Sequence, residues 1–424
     1  MSVAAGSPPR RIVVVGASLC GLSAAQALRE EGFSGEIVLV GDEPERPYDR
    51  PPLSKQVLRG RCGPDTTLPC RPDLDLRFRL GTAAAGLDPR ARRVVLADGG
   101  TIAYDRVLIA TGTRARPWPG DPGSGPLHTL RTRRDAERLG ARLADRPRRV
   151  VVVGGGFIGC EAAASIRAMG LDVTQVVRET VPLVQALGDA VGAMVAEVAR
   201  GAGVDLLTDR GIDGIEAAGG ETAVVRLDEG RRIETGCVLV ALGAVRNVEW
   251  LAGAGLAVSD AGVRVDAECR ALTPDGRVVP DVFAAGDVAQ WPSAVYGGAR
   301  LAVEHWGNAV AQGRVAARNM AAAGGPLARH DHLPDFWSHL YGLTVKLVGV
   351  PDGADRFAVV QGTLRERRFV GIYGAGERTV AAVSVDSARW LPAYRAAIAE
   401  GAPFPPFTGA LDQPGFAPHP LATA

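Results

Sequence analysis

Two short runs of β-branched residues, Arg11–Val15 and Val150–Val153, each end at a glycine and are followed by a stretch of helix-forming composition. Behind the first run the pattern predicts a helix over Leu19–Glu30 and a strand over Glu36–Val40. Behind the second it predicts a helix over Phe157–Met169 and a strand over Asp172–Val177. Apolar runs without alternation suit strands covered on both faces, so each set predicts a β-α-β unit in a parallel sheet. Further strands are expected at Asp105–Ala110, ending in Thr111-Gly112-Thr113, and at Cys237–Ala241, ending in Leu242-Gly243. The arginine-rich stretch Arg131–Arg149 reads as helix. Asp281–Asp287 reads as strand and turn before a helix near His305–Met320.

After the glycine-rich break Ala321–Pro326 the periodicity changes. Leu343–Val350, Phe357–Leu364 and Thr379–Val385 predict strands of a smaller α+β module, and the proline-rich tail Ala402–Ala424 predicts irregular chain. A chain of 424 residues is too long for one ordinary core. The expected division is a first domain over residues 1–120 and 248–325, a second over 121–247, a C-terminal domain over 326–405 and a tail over 406–424.

The two glycine turns carry the first chemistry. Gly16-Ala17-Ser18-Leu19-Cys20-Gly21 is a variant of the dinucleotide fingerprint in which Ser18 replaces the middle glycine. Gly16 permits the tight turn, Gly21 a close approach of helix to strand, and the helix N-terminus offers N–H groups to a pyrophosphate. Asp42 and Glu43 fall about 20 residues downstream, where that fingerprint places an acid on a ribose. The second turn, Gly154-Gly155-Gly156-Phe157-Ile158-Gly159, is a full G-x-G-x-x-G, and Gly154, Gly156, Phe157, Ile158 and Gly159 are assigned to a second dinucleotide. The fold class is therefore α/β with two Rossmann-like dinucleotide-binding domains. Two dinucleotides in one chain are what a flavin enzyme fed by a nicotinamide requires. Glu179, accepting from a ribose 2′-OH, would favour NADH; Arg178, pairing with a 2′-phosphate, would favour NADPH. Gly159 as the last glycine tilts the choice to NADH, with NADPH open.

Composition narrows the class. A net charge of +1 gives no surplus for nucleic acid or an acidic membrane. Of the six cysteines none forms CxxC, and no spacing suggests a metal site, so reduced thiols in a cytoplasm are expected. The lead-in Met1–Arg11 has no apolar signal core, and no run reaches transmembrane length. Only Lys55 and Lys346 are lysines, which draws attention to Lys55 inside a motif.

That motif, Arg46-Pro47-Tyr48-Asp49-Arg50-Pro51-Pro52-Leu53-Ser54-Lys55, resembles the RPYDRPPLSK signature of oxygenase-coupled ferredoxin reductases, the putidaredoxin-reductase and biphenyl-dioxygenase-reductase types, to which mitochondrial apoptosis-inducing factor is related. Ala110-Thr111-Gly112-Thr113-Arg114-Ala115-Arg116-Pro117, Phe283-Ala284-Ala285-Gly286-Asp287-Val288, Val303-Glu304-His305-Trp306 and Phe336-Trp337-Ser338 resemble its later motifs, in family order. The resemblance implies a glutathione-reductase-like arrangement of the two domains, with FAD in the first. It implies FAD contacts from Arg50, Lys55 and Arg116, and a hydrogen bond accepted by Asp287 from the ribityl chain or a phosphate-side hydroxyl. Ala84, Gly243 and Glu304 are assigned to the cofactor-binding set with them. It also implies that Lys55 pairs with Glu161 beside the reactive flavin edge, where a cation stabilises charge developing on the reduced ring. His305 and Trp306 would lie against the isoalloxazine, and Trp337 would act similarly. Without the resemblance, Trp306 reads as a core aromatic. Relatives commonly read FWSDQY where this chain has Phe336-Trp337-Ser338-His339-Leu340-Tyr341, which puts the flavin-edge contacts of the third domain in question.

With no cysteine pair to relay them, electrons are expected to leave the flavin edge directly, to a small [2Fe–2S] ferredoxin that serves an oxygenase. Ferredoxins of this kind are acidic, and Arg131, Arg133, Arg134, Arg138, Arg142, Arg148 and Arg149 form a basic stretch that reads either as docking face or as solvated helix. Two alternatives stand beside this reading. One is a reductase of another acceptor or an NADH oxidase of the same fold. The other is a redox-sensing flavoprotein acting by protein interaction. Monomer and homodimer are equally compatible with the sequence.

Overall fold

The computed structural model describes residues 9–63, 65–121, 125–219, 222–408 and 419–420. The chain divides into two compact units, residues 1–49, 67–114 and 245–335 forming one, and residues 50–66, 115–244 and 336–424 the other.

The first unit is built on strand β1 (Arg11–Val15), helix α1 (Leu19–Glu30) and strand β2 (Glu36–Val40). Its six-stranded sheet runs Arg270–Leu272, Val278–Ala284, Arg106–Ile109, β1, β2, Leu76–Arg79. All neighbours are parallel except the edge strand Arg270–Leu272. Strand order reverses at β1, whose two neighbours lead away on opposite sides. In open α/β sheets the crevice at such a switch point, beyond the carboxyl ends of the strands, is where ligands bind. One face of the sheet is covered by α1 and the helix Trp306–Ala321, which meet through small residues. A Cβ added at Gly313 would stand 2.8 Å from the Cys20 carbonyl oxygen, so only glycine lets the two helices approach this closely. The other face is covered by the antiparallel strands Ala84–Asp88, Arg93–Leu96 and Thr101–Ala103, which bury Leu87, Val94 and Leu96.

The second unit repeats the design with strand β3 (Val150–Val153), helix α2 (Phe157–Ala168) and strand β4 (Val173–Val176). Its five parallel strands run Asp205–Leu207, β4, β3, Cys237–Val240, Leu127–His128, again with a switch point at the central strand. The arginine-rich segment is helical only over Arg133–Ala144, because Thr132 and Asp135 form a reciprocal capping box that fixes its start. The three antiparallel strands Ile212–Ala217, Ala223–Leu227 and Arg232–Thr235 were not expected.

Residues 336–408 continue this second unit. An antiparallel sheet in the order Asp335–Leu340, Leu343–Gly349, Arg378–Val385, Arg368–Ala375, Arg356–Thr363 packs its apolar face on the helix Val184–Gly201 through Leu187, Val191 and Val195. That helix is broken at Gly188 (φ 71°), and the freed Leu187 carbonyl accepts from the Tyr373 hydroxyl at 2.7 Å. The helix Leu391–Ala399 was not anticipated, and the tail expected to be irregular carries one short pairing, Phe407–Thr408 with His419–Pro420.

Candidate functional site

In the first unit, β1 ends at Gly16, whose φ of +124° is open to glycine. A Cβ there would stand 2.1 Å from the Ala110 carbonyl oxygen, and one at Gly21 would stand 2.0 Å from that of Gly16. Both glycines are therefore fixed by the protein's own backbone. Ser18 is different. It is the extended N-cap of α1, and its hydroxyl makes no capping hydrogen bond. Of the two acids at the end of β2, Glu43 accepts from the Tyr48 hydroxyl at 2.5 Å, whereas Asp42 is exposed. Ala84 is half-buried at the start of its strand, against the core.

The segment Gly286–Val288 brings Asp287 into the same unit. The Gly286 N–H donates to Gln312 Oε1 at 2.8 Å, and Gly286 lacks the Cβ that would press on Cys20 at 3.1 Å. Burial, reinforced by Asp287, pushes the Cys20 thiol far above its usual range, so it stays protonated. His305 is pushed down to about 4, chiefly by burial and against the opposing charges of Asp287 and Asp335, so its ring is neutral near pH 7. Trp306 starts the helix Trp306–Ala321 with 38 % of its surface exposed, and its Nε1 donates to Asp49 Oδ1 at 2.9 Å. An exposed indole pinned by an acid is a presented surface rather than the core aromatic that pattern alone suggests. Glu304, just before it, is 3.9 Å from Arg246.

In the second unit the glycines obey the same rules. A Cβ at Gly154 (φ +117°) would stand 2.3 Å from the Ala241 carbonyl oxygen, and one at Gly159 would stand 2.5 Å from that of Gly154. Gly155 is excluded from carrying a side chain by Val177 Cγ1 at 2.5 Å, while a Cβ at Gly156 meets nothing within 4 Å. Room at the middle position, beside a helix N-terminus with unsatisfied N–H groups, fits a pyrophosphate. Ser18 occupies the same middle position in the first loop, and the residues of both loops fit a dinucleotide. Ile158 and Leu242 are exposed apolar residues by this loop (41 % and 37 %), Phe157 packs edge-on against Phe336 at 4.5 Å, and the Gly243 carbonyl accepts from the Arg116 N–H at 3.0 Å. Glu179 accepts from Gln185 Nε2 at 3.2 Å, and the exposed Arg178 guanidinium is 3.8 Å from it.

The same unit brings Lys55 and Glu161 together. Leu53–Val57 forms a wide helical turn, and Lys55 Nζ lies 2.6 Å from Glu161 Oε2, with side-chain exposures of 12 % and 5 %. The Ser54 hydroxyl donates to the same oxygen at 2.5 Å, and the Ser338 hydroxyl donates to Oε1 at 2.6 Å. A buried carboxylate thus has a cation and two hydroxyl donors, the condition under which it can be kept inside. Neither serine was singled out from sequence, although both lie inside quoted motifs. Arg50 Nη1 donates to the Arg131 carbonyl at 2.8 Å, and the side chain of Arg116 is exposed. On the strand Asp335–Leu340, Trp337 is exposed at 40 % while Ser338 and Leu340 are buried. The two departures from the FWSDQY pattern therefore differ in kind: His339 faces outward, and Leu340 joins the apolar cluster of Leu183 and Leu187. Within the basic stretch, Arg133 pairs with Asp65 at 3.3 Å and Arg142 donates to the Gly236 carbonyl at 2.8 Å, both largely buried, so these two serve packing.

Residues 10–313 match the family model of pyridine nucleotide-disulphide oxidoreductases, and residues 335–413 match the reductase C-terminal model. The chain is 37 % identical over 404 residues to rhodocoxin reductase of Rhodococcus erythropolis, covering 93 % of this chain and 91 % of that protein. It is 37 % identical over 399 residues to the ferredoxin–NAD(+) reductase component of the anthranilate 1,2-dioxygenase system of Burkholderia cepacia (92 % and 94 %). The structure is similar to the covalent putidaredoxin reductase–putidaredoxin complex, with a TM-score of 0.85 at 30 % identity, covering 93 % of this chain and 94 % of that one.

Removing one partner of a buried ion pair strands the other, at a cost of about 3–5 kcal/mol. Lys55→Met is expected to lower stability on that scale, and Lys55→Met/Glu161→Gln to recover most of it, in urea unfolding of all four members of the cycle. Purely additive single effects would show that the pair is not coupled. For His305 the unfolded ring, near pKa ~6.5, takes its proton before the folded one at about 4. Acidification through that window therefore favours the unfolded chain. Stability should fall from about pH 6.5 to about 4, and His305→Gln should flatten the slope of urea midpoints against pH; an unaltered slope would remove His305 as a contributor.

Proposed function

The chain belongs to the pyridine nucleotide-disulphide oxidoreductase family, and from that membership we propose that it is an FAD-dependent ferredoxin reductase. In this reading it takes hydride from NADH, with NADPH the second possible donor, and delivers electrons singly to a [2Fe–2S] ferredoxin that feeds an oxygenase. The observation that carries it is the duplicated glycine loop, built twice on the same steric rule, with the middle position left open at Gly156 in one copy and held by the uncapping Ser18 in the other. The relatives named as reductase components of oxygenase systems support the ferredoxin as acceptor. No helix among the described residues is long and apolar enough to cross a membrane, and the six free thiols suit a cytoplasm.

FAD, when bound, supplies the two-electron to one-electron conversion that neither a nicotinamide nor a side chain can perform. The residues' own tasks divide by unit. In the first, Gly16, Ser18 and Gly21 leave the helix start open for the FAD pyrophosphate, and Asp42, with Glu43 behind it, meets the ribose. Asp287 binds on the ribityl side. His305 contributes an uncharged ring and Trp306 a fixed indole face for the isoalloxazine. In the second, Gly154, Gly156, Phe157, Ile158 and Gly159 receive the nicotinamide dinucleotide, with Gly243 beside them, and Glu179 holds the adenosine ribose. Lys55, supported by Glu161, supplies the cation that offsets negative charge at the reacting centre. Arg50, Arg116, Ala84, Trp337 and Glu304 complete the proposed cofactor contacts.

Anaerobic stopped-flow mixing of the FAD-loaded chain with NADH tests the proposal. Rapid bleaching of the flavin, followed by rapid reoxidation on adding a [2Fe–2S] ferredoxin, is expected. Reoxidation by oxygen alone would assign an oxidase, and slow bleaching to a persistent charge-transfer state would assign a sensor. Arg178→Ala is expected to leave the KM for NADH within about twofold, since an exposed side chain 3.8 Å from Glu179 adds little to a ribose contact. A marked rise in KM for NADPH alone would show that Arg178 recruits a 2′-phosphate.

A further inference from the structure

The two β-α-β units can be superimposed residue by residue through their strand registers. Val14 pairs with Leu39 and Val15 with Val40 just before Gly16, while Val152 pairs with Gln175 and Val153 with Val176 just before Gly154. Leu39 and Gln175 are therefore equivalent. Counting forward from Gly16 and from Gly154, so are Leu22 and Cys160. In the first unit both positions are apolar and buried. In the second they carry a glutamine and a cysteine, each 1 % exposed, in the middle of an apolar sheet–helix interface. The chain itself shows that leucines suffice to build this fold, so the polar pair needs another reason.

The contacts supply one. Gln175 Nε2 donates to the Gly154 carbonyl oxygen at 3.0 Å and reaches Cys160 Sγ at 3.6 Å. Cys160 Sγ in turn donates to the Gly155 carbonyl oxygen at 3.6 Å, and the Leu183 N–H donates to that same oxygen at 2.8 Å. Burial keeps the thiol protonated, pushed up to about 12, so it remains a donor. Two consecutive loop carbonyls are thus held from beneath. In a trans peptide the carbonyl and the following N–H point in opposite directions. Fixing the oxygens of Gly154 and Gly155 fixes the N–H groups of Gly155 and Gly156 away from Gln175. Gln175 Oε1, meanwhile, is buried with no hydrogen-bond partner, a cost that a leucine would not carry.

We propose that Gln175, with Cys160 beside it, is a positioning residue for the second dinucleotide, holding the Gly154 and Gly155 carbonyls inward so that the next two N–H groups are preset for its pyrophosphate. The proposal rests on the reading of this loop as the nicotinamide site. The physical logic is preorganisation. A cofactor that dissociates every turnover meets the ordering cost of the loop each time, whereas a resident flavin meets it once.

The test is calorimetric titration of the FAD-loaded chain with ADP-ribose, which carries the pyrophosphate but no nicotinamide, and with adenosine, which carries no phosphate. Gln175→Leu, the residue the first unit uses, is expected to weaken ADP-ribose about three- to tenfold, the scale of one neutral hydrogen bond. Adenosine binding, FAD content and the melting temperature should not fall, and KM for NADH should rise with kcat preserved. Gln175→Met, unbranched like glutamine, carries the same expectation if the leucine variant does not fold. Unchanged ADP-ribose affinity in a folded variant overturns the proposal, as does an equal loss for ADP-ribose and adenosine. A wild-type chain that binds no ADP-ribose at all would instead remove the nucleotide reading of the loop, and the proposal with it.

Discussion

The second unit depends on one buried carboxylate. Glu161 lies on α2 two residues after the last glycine of its loop, and it is kept inside the protein only because Lys55, Ser54 and Ser338 all reach it. Those donors come from two stretches of chain remote in sequence from the helix, residues 50–66 and the C-terminal strand Asp335–Leu340. An ionised carboxylate stripped of water without such partners is costly enough to unfold a marginal protein. The arrangement that presents Lys55 is therefore also an arrangement that ties the outlying segments to the parallel sheet. Under the role proposed for Lys55, chemistry and assembly rest on the same oxygen atoms, and the supporting serines cannot be varied as freely as their small size suggests.

A second constraint is backbone proximity. In both units the first glycine of the loop sits against the carbonyl of a neighbouring strand, and the last sits against the carbonyl of the first. These contacts leave no space for a Cβ whatever ligand is bound. The middle position at Gly156 has no such limit from the protein, so a side chain as small as that of Ser18 is compatible with the motif. The fingerprint contains two kinds of glycine: those required by the fold, and one whose smallness serves only the ligand. Ser18 belongs to the second kind, so the departure that weakens the first loop as a pattern leaves its geometry intact.

What the sequence revealed follows from the range of the forces involved. Strands β1 to β4 and the helices after the glycines were legible to within about a residue or two, because unbroken apolar runs and glycine turns are local signals. The arginine stretch misled in extent, since its boundary is set by the Thr132–Asp135 box and not by composition. The strands between Ile212 and Thr235 were missed because their register with one another is decided by packing against Val151, Val153 and Val238. Side-chain partners separated by long stretches were the least visible. Ser338 and Glu161 are 177 residues apart, and Asp49 and Trp306 are 257 apart. Gln175 did leave a trace, as a polar residue in the Val-Thr-Gln-Val strand, but periodicity alone gives it no role. Asp42 and Glu43 read as equals until Tyr48 is seen to engage one of them.

The cysteines decide how electrons can leave. All six are free thiols, and Cys20, Cys160, Cys237 and Cys269 are buried. Burial raises each of these four, with Asp287 adding to the effect at Cys20, so none supplies the thiolate on which disulfide exchange depends. Cys62 and Cys70 are more accessible, and both are free thiols as well. A relay of the disulfide-reductase kind has no cysteine pair here to run through, despite the family's descriptive name. The acceptor must then take electrons from the cofactor itself. That places selectivity in the surface the acceptor meets, where a few anchoring side chains carry most of the binding energy, and not in an internal carrier.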